Sequence, residues 1–431
     1  MSATRRLAAA GILALVAAVV ARAQTVPPLP PAASMDAFVE RAWRMLADFK
    51  GMAEPGPPPP IARKTGEEIR KELEVEIARE YPPERLEAER KAMVAWGLIP
   101  PAYDFKALIA GVVSEQLAGY YDPRTRSIGL AEPKSVNQEA LTVVHELVHA
   151  LQDRQTSLAA FIPKEPGRSD QVLARQALIE GEAVALSMEY LLRTEGLQFT
   201  SIPSLDDVRS ISFAPGLAGP AVRSAPKYLR DVLFFPYQEG VGFMQQLKKR
   251  AAWSTVTDLY RDPPRSTAQI LHPSKRLGRR EDPLVIRLPD LDALVTGVTP
   301  VIEDELGEFT LGSAVEPYLG LTRARRAAVG WRGDRHRIWE NAAGRFTIVA
   351  LVAFDTVSTA NGFARVWTAM IERRHPHLRG TGFPRPDSVL QWTDGPIAFV
   401  IERRGPEVLI LERVAGGAVD RIRAAIWKSR P

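Results

Sequence analysis

Residues 143–153 read VVHELVHALQD, in which His145, Glu146 and His149 are set among mostly apolar residues. On an α-helix, residues four positions apart lie one turn apart on one face, so both imidazoles can reach the same metal ion. Glu146 then stands beside the metal, where a carboxylate can act as a base. The chain has 6 His in 431 residues, and we estimate that the pattern arises by chance in roughly half a percent of chains of this composition. The stretch therefore predicts a buried active-site helix that binds zinc.

A catalytic zinc site usually has three protein ligands, so the sequence must supply one more. A second long helical stretch follows at residues 170–194 and contains Glu180-Gly181-Glu182-Ala183. The two glutamates lie about 200° apart around a helix, so at most one of them faces the metal.

An H-E-x-x-H helix followed by a helix with Glu-Gly-x-Ala resembles the gluzincin metallopeptidases, above all the aminopeptidase-N-like group. In that group the Glu of the second helix is the third zinc ligand. The resemblance assigns this role to Glu180 and leaves Glu182 as the alternative, which otherwise is solvated or supports a ligand from behind. It implies one zinc ion per chain, bound by His145, His149 and Glu180, with Glu146 as the general base of peptide hydrolysis.

Residues 237–247 match a further motif of this family, a helix whose Tyr stabilises the oxyanion of the transition state. Tyr237 takes the position of that Tyr, and Gly240 takes the position of the Gly in the motif. His272, in a segment of turn residues, is the other candidate donor, because an imidazole also stabilises an oxyanion. A third interpretation stays open, in which Tyr237 only packs or caps a helix that begins after Pro236.

The chain departs from the family at two places. Thermolysin-like gluzincins have an Asp four residues after the ligand Glu, and Val184 occupies that position here, so we expect Asp153 to orient a ligand instead. The amine-binding G-x-M-E-N segment of the aminopeptidases is absent, which favours an endopeptidase. Residues 117–130 predict two strands joined by a turn, and we expect an edge strand there to pair with extended substrate.

Residues 1–23 have the basic start, the apolar run and the Ala-Arg-Ala end of a secretory signal peptide. This predicts export to the periplasm or the extracellular space, with no stable membrane anchor after cleavage; Arg5-Arg6 leaves twin-arginine export open. Cleavage removes three Arg and no acidic residue, so the net charge falls from +5 to +2 (53 basic against 51 acidic residues), which gives no support to nucleic-acid binding. With 0 Cys, the chain has neither a thiol nucleophile nor disulfides.

The rest of the chain divides into three parts. Residues 24–64 are predicted to form a proline-rich spacer with one helix, mobile at residues 24–34 and 55–60. Residues 65–290 are predicted to form the zincin-like catalytic domain with an N-terminal helical layer. After a stretch rich in proline and charge, residues 308–431 alternate strand and helix patterns, which predict an α+β domain on one antiparallel sheet.

The sequence thus predicts an α+β protein, with a mostly helical zincin-like metallopeptidase core, a small edge sheet and the C-terminal α+β domain. The predicted function is that of an exported zinc endopeptidase, whose partner is a peptide or protein substrate. Two alternatives remain: a catalytically degenerate zincin that binds metal or peptide in the cell envelope, and a non-enzymatic envelope protein that acts through residues 310–431. Three further histidines, His336, His375 and His377, lie among Arg residues and are expected to be solvated.

Overall fold

The computed structural model describes residues 35–80, 82–105, 107–108, 111, 119–131, 136–202, 205, 220–378 and 389–430. The predicted signal peptide and the first proline-rich segment lie outside the described residues. The described chain is α+β, with more helix than strand, as predicted. In these parts of the chain, no helix combines the length and the apolar character needed to cross a membrane.

The first part of the chain is mainly helical and contains a three-stranded sheet in the order β1-β3-β2. Strand β1 is parallel to β3, and β2 is antiparallel to β3, so β2 is an edge strand of the described sheet. The two strands and the turn expected at residues 117–130 are therefore present. The elements in chain order are α1 (Met35–Phe49), β1 (Ile61–Lys64), α2 (Gly66–Glu80), α3 (Pro83–Ala95), β2 (Gly119–Asp122), β3 (Ser127–Ala131), α4 (Val136–Gln155), α5 (Leu158–Phe161), α6 (Ser169–Thr194), α7 (Pro220–Ser224), α8 (Lys227–Lys248), α9 (Val256–Arg261), α10 (Thr267–Leu271) and α11 (Ser274–Leu277).

Helices α4 and α6 pack against each other inside the core of this helical part. Residues 176–190 of α6 are all buried, which is the pattern of a helix covered on every side. Helix α1 contributes Phe38, Trp43 and Leu46 to the same core. The helix expected within the spacer is therefore an integral part of the helical core.

The second proline-rich segment, residues 55–60, is packed against the helices, where we expected a mobile spacer. Trp43 Nε1 donates a hydrogen bond to the Gly56 carbonyl at 2.7 Å, and the Arg154 guanidinium donates to the Pro57 carbonyl. An extended proline-rich run has no internal hydrogen bonds, so its carbonyls can accept from side chains of the core. The chain then continues directly into β1.

The second part of the chain is built on a six-stranded antiparallel sheet in the order β4-β5-β6-β9-β8-β7, which confirms the predicted sheet. Alternate residues of its central strands face two different cores, with α14 packed on one face and α15 on the other. Strand β4 lies in the stretch that we expected to separate the domains, and it is a strand because it pairs with β5. The elements are β4 (Val298–Asp304), α12 (Gly307–Leu319), α13 (Leu321–Ala327), β5 (Trp331–Asn341), β6 (Phe346–Phe354), α14 (Val357–Arg374), β7 (Val389–Asp394), β8 (Ile397–Arg404), β9 (Glu407–Ala415) and α15 (Val419–Lys428).

Helices α6 and α8 cross at a pair of glycines, Gly181 and Gly240. A Cβ on Gly181 would lie 2.6 Å from the Cα of Gly240, and a Cβ on Gly240 would lie 2.9 Å from the Cα of Gly181. These distances are shorter than a carbon–carbon contact allows, so the crossing requires glycine on both helices. Tyr237 lies one turn before Gly240 on the same face of α8, which turns it toward α6.

Gly240→Ala should therefore destabilise the protein by about 1–3 kcal/mol, because the added methyl group forces two backbones apart. A matched control is Gly362→Ala in α14, where an added Cβ meets nothing within 4 Å. That change should stabilise the protein by about 0.5–1 kcal/mol, since glycine disfavours a helix interior. Urea unfolding of both variants measures the difference, and a Gly240→Ala protein as stable as the wild type would contradict the crossing.

Candidate metal centre

His145 and His149 lie one turn apart on α4 and face Glu180 on α6. The two Nε2 atoms are 3.0 Å apart, and each lies 3.4 Å from Glu180 Oε2. Two ligands of a tetrahedral zinc ion, with bonds of about 2.0–2.1 Å, are separated by about 3.3–3.4 Å. The three side chains therefore form a buried group with the spacing that a metal ion needs.

The surroundings of the Glu180 carboxylate also support a metal ion at this group. Within the described residues, neither of its carboxylate oxygens accepts a hydrogen bond, and only the two histidines lie at ion-pair distance. A buried carboxylate in such surroundings is costly unless a cation compensates its charge. The residues present thus fit a bound metal cation.

The pKa values of the group favour the protonation states of metal ligands at two positions. Burial lowers the pKa of His145 to about 4, which keeps its imidazole neutral at neutral pH. Burial by itself would raise the pKa of Glu180, but His149 and His145 outweigh it and lower the pKa to about 2. A neutral imidazole and an ionised carboxylate are the forms that bind a metal. In His149 burial opposes the charge of Glu180, and the net effect raises the pKa, so a proton there competes with the metal.

Gln152 determines the tautomer of His149. Its Nε2 donates hydrogen bonds to the Ile179 carbonyl at 2.9 Å and to Glu182 Oε2 at 2.8 Å, so its Oε1 faces the imidazole. His149 Nδ1 lies 2.8 Å from that oxygen. Because an amide oxygen only accepts, the proton of neutral His149 is on Nδ1, and the lone pair of Nε2 is directed to the metal position.

Glu182 lies behind the ligands in a buried network and is not one of the group that faces the metal position. It pairs with Lys50 at the end of α1, and it accepts hydrogen bonds from Tyr260 Oη at 2.6 Å and from Gln152. The structure thus places Glu180 in the group that could hold a metal ion, and Glu182 behind that group. No sequence motif indicated Lys50 or Gln152, whose roles depend on contacts between distant segments.

Asp153 does not contact either histidine. Its carboxylate accepts hydrogen bonds from the Leu158 backbone N–H at 2.8 Å and from Tyr121 Oη at 3.1 Å. Our expectation that Asp153 orients a ligand is therefore wrong, and the neighbouring Gln152 has that contact. The physical reason is that the Asp153 side chain is directed to β2 and to the start of α5, whereas Gln152 is directed to α6.

Glu146 lies at the unpaired edge of the small sheet. The Tyr121 backbone N–H of β2 donates a hydrogen bond to Glu146 Oε2 at 2.7 Å, so this N–H points away from β3. Glu146 is 1% exposed and follows His145 directly on α4. Among the described residues, the outer edge of β2 therefore faces the metal centre.

The two candidate oxyanion donors, Tyr237 and His272, have different surroundings. Helix α8 begins at Lys227 and continues through Pro236, so Tyr237 is buried in the middle of a helix and does not cap one. His272 forms an ion pair with Glu308 of α12, in which Nε2 and Oε1 are 2.6 Å apart. This hydrogen bond to Glu308 raises the pKa of His272. His272 thus connects the helical part of the chain (residues 35–277) to the part built on the six-stranded sheet (residues 298–428), which we call the sheet domain.

A cavity of about 250 Å³ opens beside Glu180. Its walls come from α3, α6 and α8 and from β4 and β5 of the sheet domain. His336 of β5 lines it and is 2% exposed, so the expectation of a solvated residue is wrong for this histidine. The sheet domain therefore forms part of the space next to the metal centre.

Residues 297–423 match a protein family described as a domain of unknown function (DUF8575). The match extends from the start of β4 into α15 and includes His336, but none of the residues grouped at the metal centre. A search of curated proteins and a search of solved structures found no match. The family match therefore concerns the sheet domain only, and the evidence for the metal centre is its geometry.

Gln152→Met should weaken zinc binding by about 10- to 100-fold, because it removes the acceptor that fixes the tautomer of His149. Asp153→Asn is the matched control, since Asp153 contacts no histidine, and it should bind zinc like the wild type. Competition with a chromophoric zinc chelator measures both affinities. Equal affinity of the wild type and Gln152→Met would show that Gln152 does not position the ligand.

Proposed function

We propose that the protein is a zinc-dependent endopeptidase of the gluzincin type. The observation that carries the proposal is the convergence of His145, His149 and Glu180 at 3.0–3.4 Å, with Glu146 beside them. A zinc ion bound by these three side chains supplies a Lewis acid that polarises a carbonyl and lowers the pKa of water. The absence of the amine-binding segment of aminopeptidases supports cleavage within a chain.

The edge of β2 gives the substrate a place to bind. An extended peptide adds to an unpaired sheet edge through main-chain hydrogen bonds, and the outer edge of β2 is directed to the metal centre, where its Tyr121 N–H is bonded to Glu146. A peptide in this position presents its carbonyl groups to Glu146 and to the three ligands. The proposal therefore assigns the orientation of the substrate to β2.

Glu146 is the general base in this proposal. Its carboxylate takes a proton from the attacking water and returns it to the amine that leaves. The hydrogen bond from the Tyr121 N–H to Oε2 holds the carboxylate in position. We assign the oxyanion to Tyr237, since α8 turns this residue toward α6 at the glycine crossing and His272 is engaged by Glu308.

We propose that residues 1–23 direct export, so that the peptidase acts on peptides or proteins outside the cytoplasm. The proposed protein is thus an exported zincin in which the sheet domain follows the catalytic helices along the chain.

Glu146→Gln should leave zinc bound and reduce peptide hydrolysis by roughly 10² or more, because the amide keeps the shape but cannot accept the proton. His149→Ala and Glu180→Ala should instead lose the zinc, of which the wild type should contain about one ion per chain. Metal analysis and digestion of a broad peptide library, with and without chelator, measure both effects. Full turnover by Glu146→Gln, or one zinc per chain in His149→Ala, would refute the proposal.

Tyr237→Phe should lower kcat by about 10² to 10³ with little change in KM or in bound zinc, because it removes one donor to the oxyanion. His272→Ala should cost much less. Steady-state kinetics on one peptide substrate compare the two variants. If His272→Ala gives the large loss and Tyr237→Phe is neutral, the assignment of the oxyanion to Tyr237 is wrong.

A further inference from the structure

The cavity beside the metal centre has an acidic far end. Asp304 and Glu305 reach it from the end of β4, and Glu89 reaches it from α3. Two arginines also border the cavity, but Arg85 is paired with Glu89 at 3.0 Å, and Arg168 is exposed to solvent, which screens its charge. The acidic groups at this end are therefore only partly compensated.

Glu305 has the weakest set of partners among these acids. Its hydrogen bond from the Gln171 N–H is long, at 3.4 Å, and it forms no ion pair with any described residue. Burial raises the pKa of Glu305 to about 7, with further contributions from Asp334 and Asp304, while the Gln171 N–H and the exposed Arg168 act in the opposite direction. A mostly buried carboxylate without a counter-ion costs free energy. A cation brought by a ligand would remove this cost.

His336 is an independent sign that the cavity takes a ligand. In the register of β4 and β5, His336 lies directly opposite Asp304, so both side chains lie on the same face of the sheet. It is 2% exposed and lines the cavity, and neither of its ring nitrogens has a hydrogen-bond partner in the described chain. Burial and the charge of Arg335 lower its pKa to about 3, so the ring is neutral and one nitrogen is an acceptor. Buried polar groups normally have partners, and a ligand N–H would supply one.

The walls between Glu180 and the acidic end are apolar and include Met93, Leu173 and Leu229. Lysine and arginine side chains have the complementary division, with a carbon stem that packs on apolar surface and a charged end that seeks polar partners. A purely apolar side chain would fill the walls but would leave the acidic end without a cation. The lining therefore matches a basic side chain better than an apolar one.

We propose that this cavity binds the side chain of a lysine or arginine residue of the substrate, with its charged end between Glu305 and His336. The inference rests on the proposed peptidase function, because Glu180 at the other end of the cavity places the bound residue next to the scissile bond. It assigns a role in specificity to β4 and β5 of the sheet domain.

Cleavage preference tests the proposal on the full chain. Peptide libraries that differ only by lysine against norleucine, or arginine against citrulline, keep the carbon chain and remove the charge. The wild type should cleave beside the charged residue at least about tenfold faster in kcat/KM, the range of one charge-assisted contact, and Glu305→Gln should abolish that preference. Glu303→Gln is the matched control, because this carboxylate lies on the same strand and pairs with Arg335 outside the cavity. It should keep the preference.

A binding measurement that needs no cleavage separates this proposal from the peptidase proposal. Nα-acetyl-lysine methylamide should bind to the wild type and to Glu303→Gln, and at least about tenfold more weakly to Glu305→Gln. Nα-acetyl-norleucine methylamide, which lacks the amine, should bind weakly to all three proteins. Isothermal titration calorimetry measures these affinities.

Thermal unfolding shows whether Glu305→Gln is folded. The folded protein keeps the proton of Glu305 up to a pH of about 7, whereas the unfolded chain releases it near its ordinary pKa of 4.5. The contribution of this group to the free energy of unfolding is thus fully present below pH 4.5 and is lost as the pH rises through 7. Glu305→Gln should therefore have a higher Tm than the wild type at pH 8 and an equal Tm at acidic pH.

The outcomes distinguish the two proposals. Charge-dependent binding that is lost in Glu305→Gln supports the basic-residue site even if no peptide is cleaved, in which case only the peptidase proposal fails. Cleavage with no preference for a basic residue, or with the same preference in folded Glu305→Gln, would overturn the site and leave the peptidase standing. Absence of both cleavage and charge-dependent binding would overturn both.

Discussion

The amide of Gln152 holds the two helices of the metal centre in register. Its oxygen accepts from His149 on α4, and its nitrogen donates to the Ile179 carbonyl and to Glu182 on α6. The donor and the acceptor of an amide have fixed directions, so these three bonds form together only when Glu180 faces the histidines. Lys50 completes the network from α1, and a buried polar network of this kind is stable only when each member has its partner. The position of His145, His149 and Glu180 thus depends on residues outside this candidate metal-binding group.

Buried acids lie where the sheet domain meets the helical part, and this has a cost. Asp304 accepts from the backbone and side chain of Ser169 at the start of α6, which joins the two parts, and Asp334 accepts from the Leu306 and Gly307 N–H groups within the sheet domain. Burial raises the pKa of both carboxyls, and each also acts on Glu305. A fold optimised for stability alone would avoid such a cluster, and groups of this kind are expected where binding is selected over stability. The basic-residue site that we propose in the cavity beside Glu180 would account for them.

The sequence predicted the site where the information is local. The spacing of His145, Glu146 and His149 places them by helix geometry, and the same geometry separates Glu180 from Glu182. The roles of Gln152 and Lys50 were not predictable, because they arise from contacts between segments far apart in the chain. The expectation that Asp153 orients a ligand was wrong for the same reason.

The fold was predictable to a similar extent. The alternating strands and helices of the sheet domain were found, but β1 and β4 were not, since pairing rather than composition makes them strands. His336 was expected to be solvated because Arg335 and Arg337 flank it. Strand alternation directs those two arginines to the opposite face and turns His336 inward, so its burial was already implied by the strand.

X-ray absorption spectroscopy of the zinc-loaded full chain tests the central claim most directly, because it reports the ligands of the metal without requiring a substrate. We predict a first shell of nitrogen and oxygen donors at about 2.0–2.1 Å, with outer-shell scattering from two imidazoles, and loss of one imidazole in His149→Ala. A zinc shell with no imidazole, or one that is unchanged in His149→Ala, would contradict the assignment of His145, His149 and Glu180 as the metal ligands.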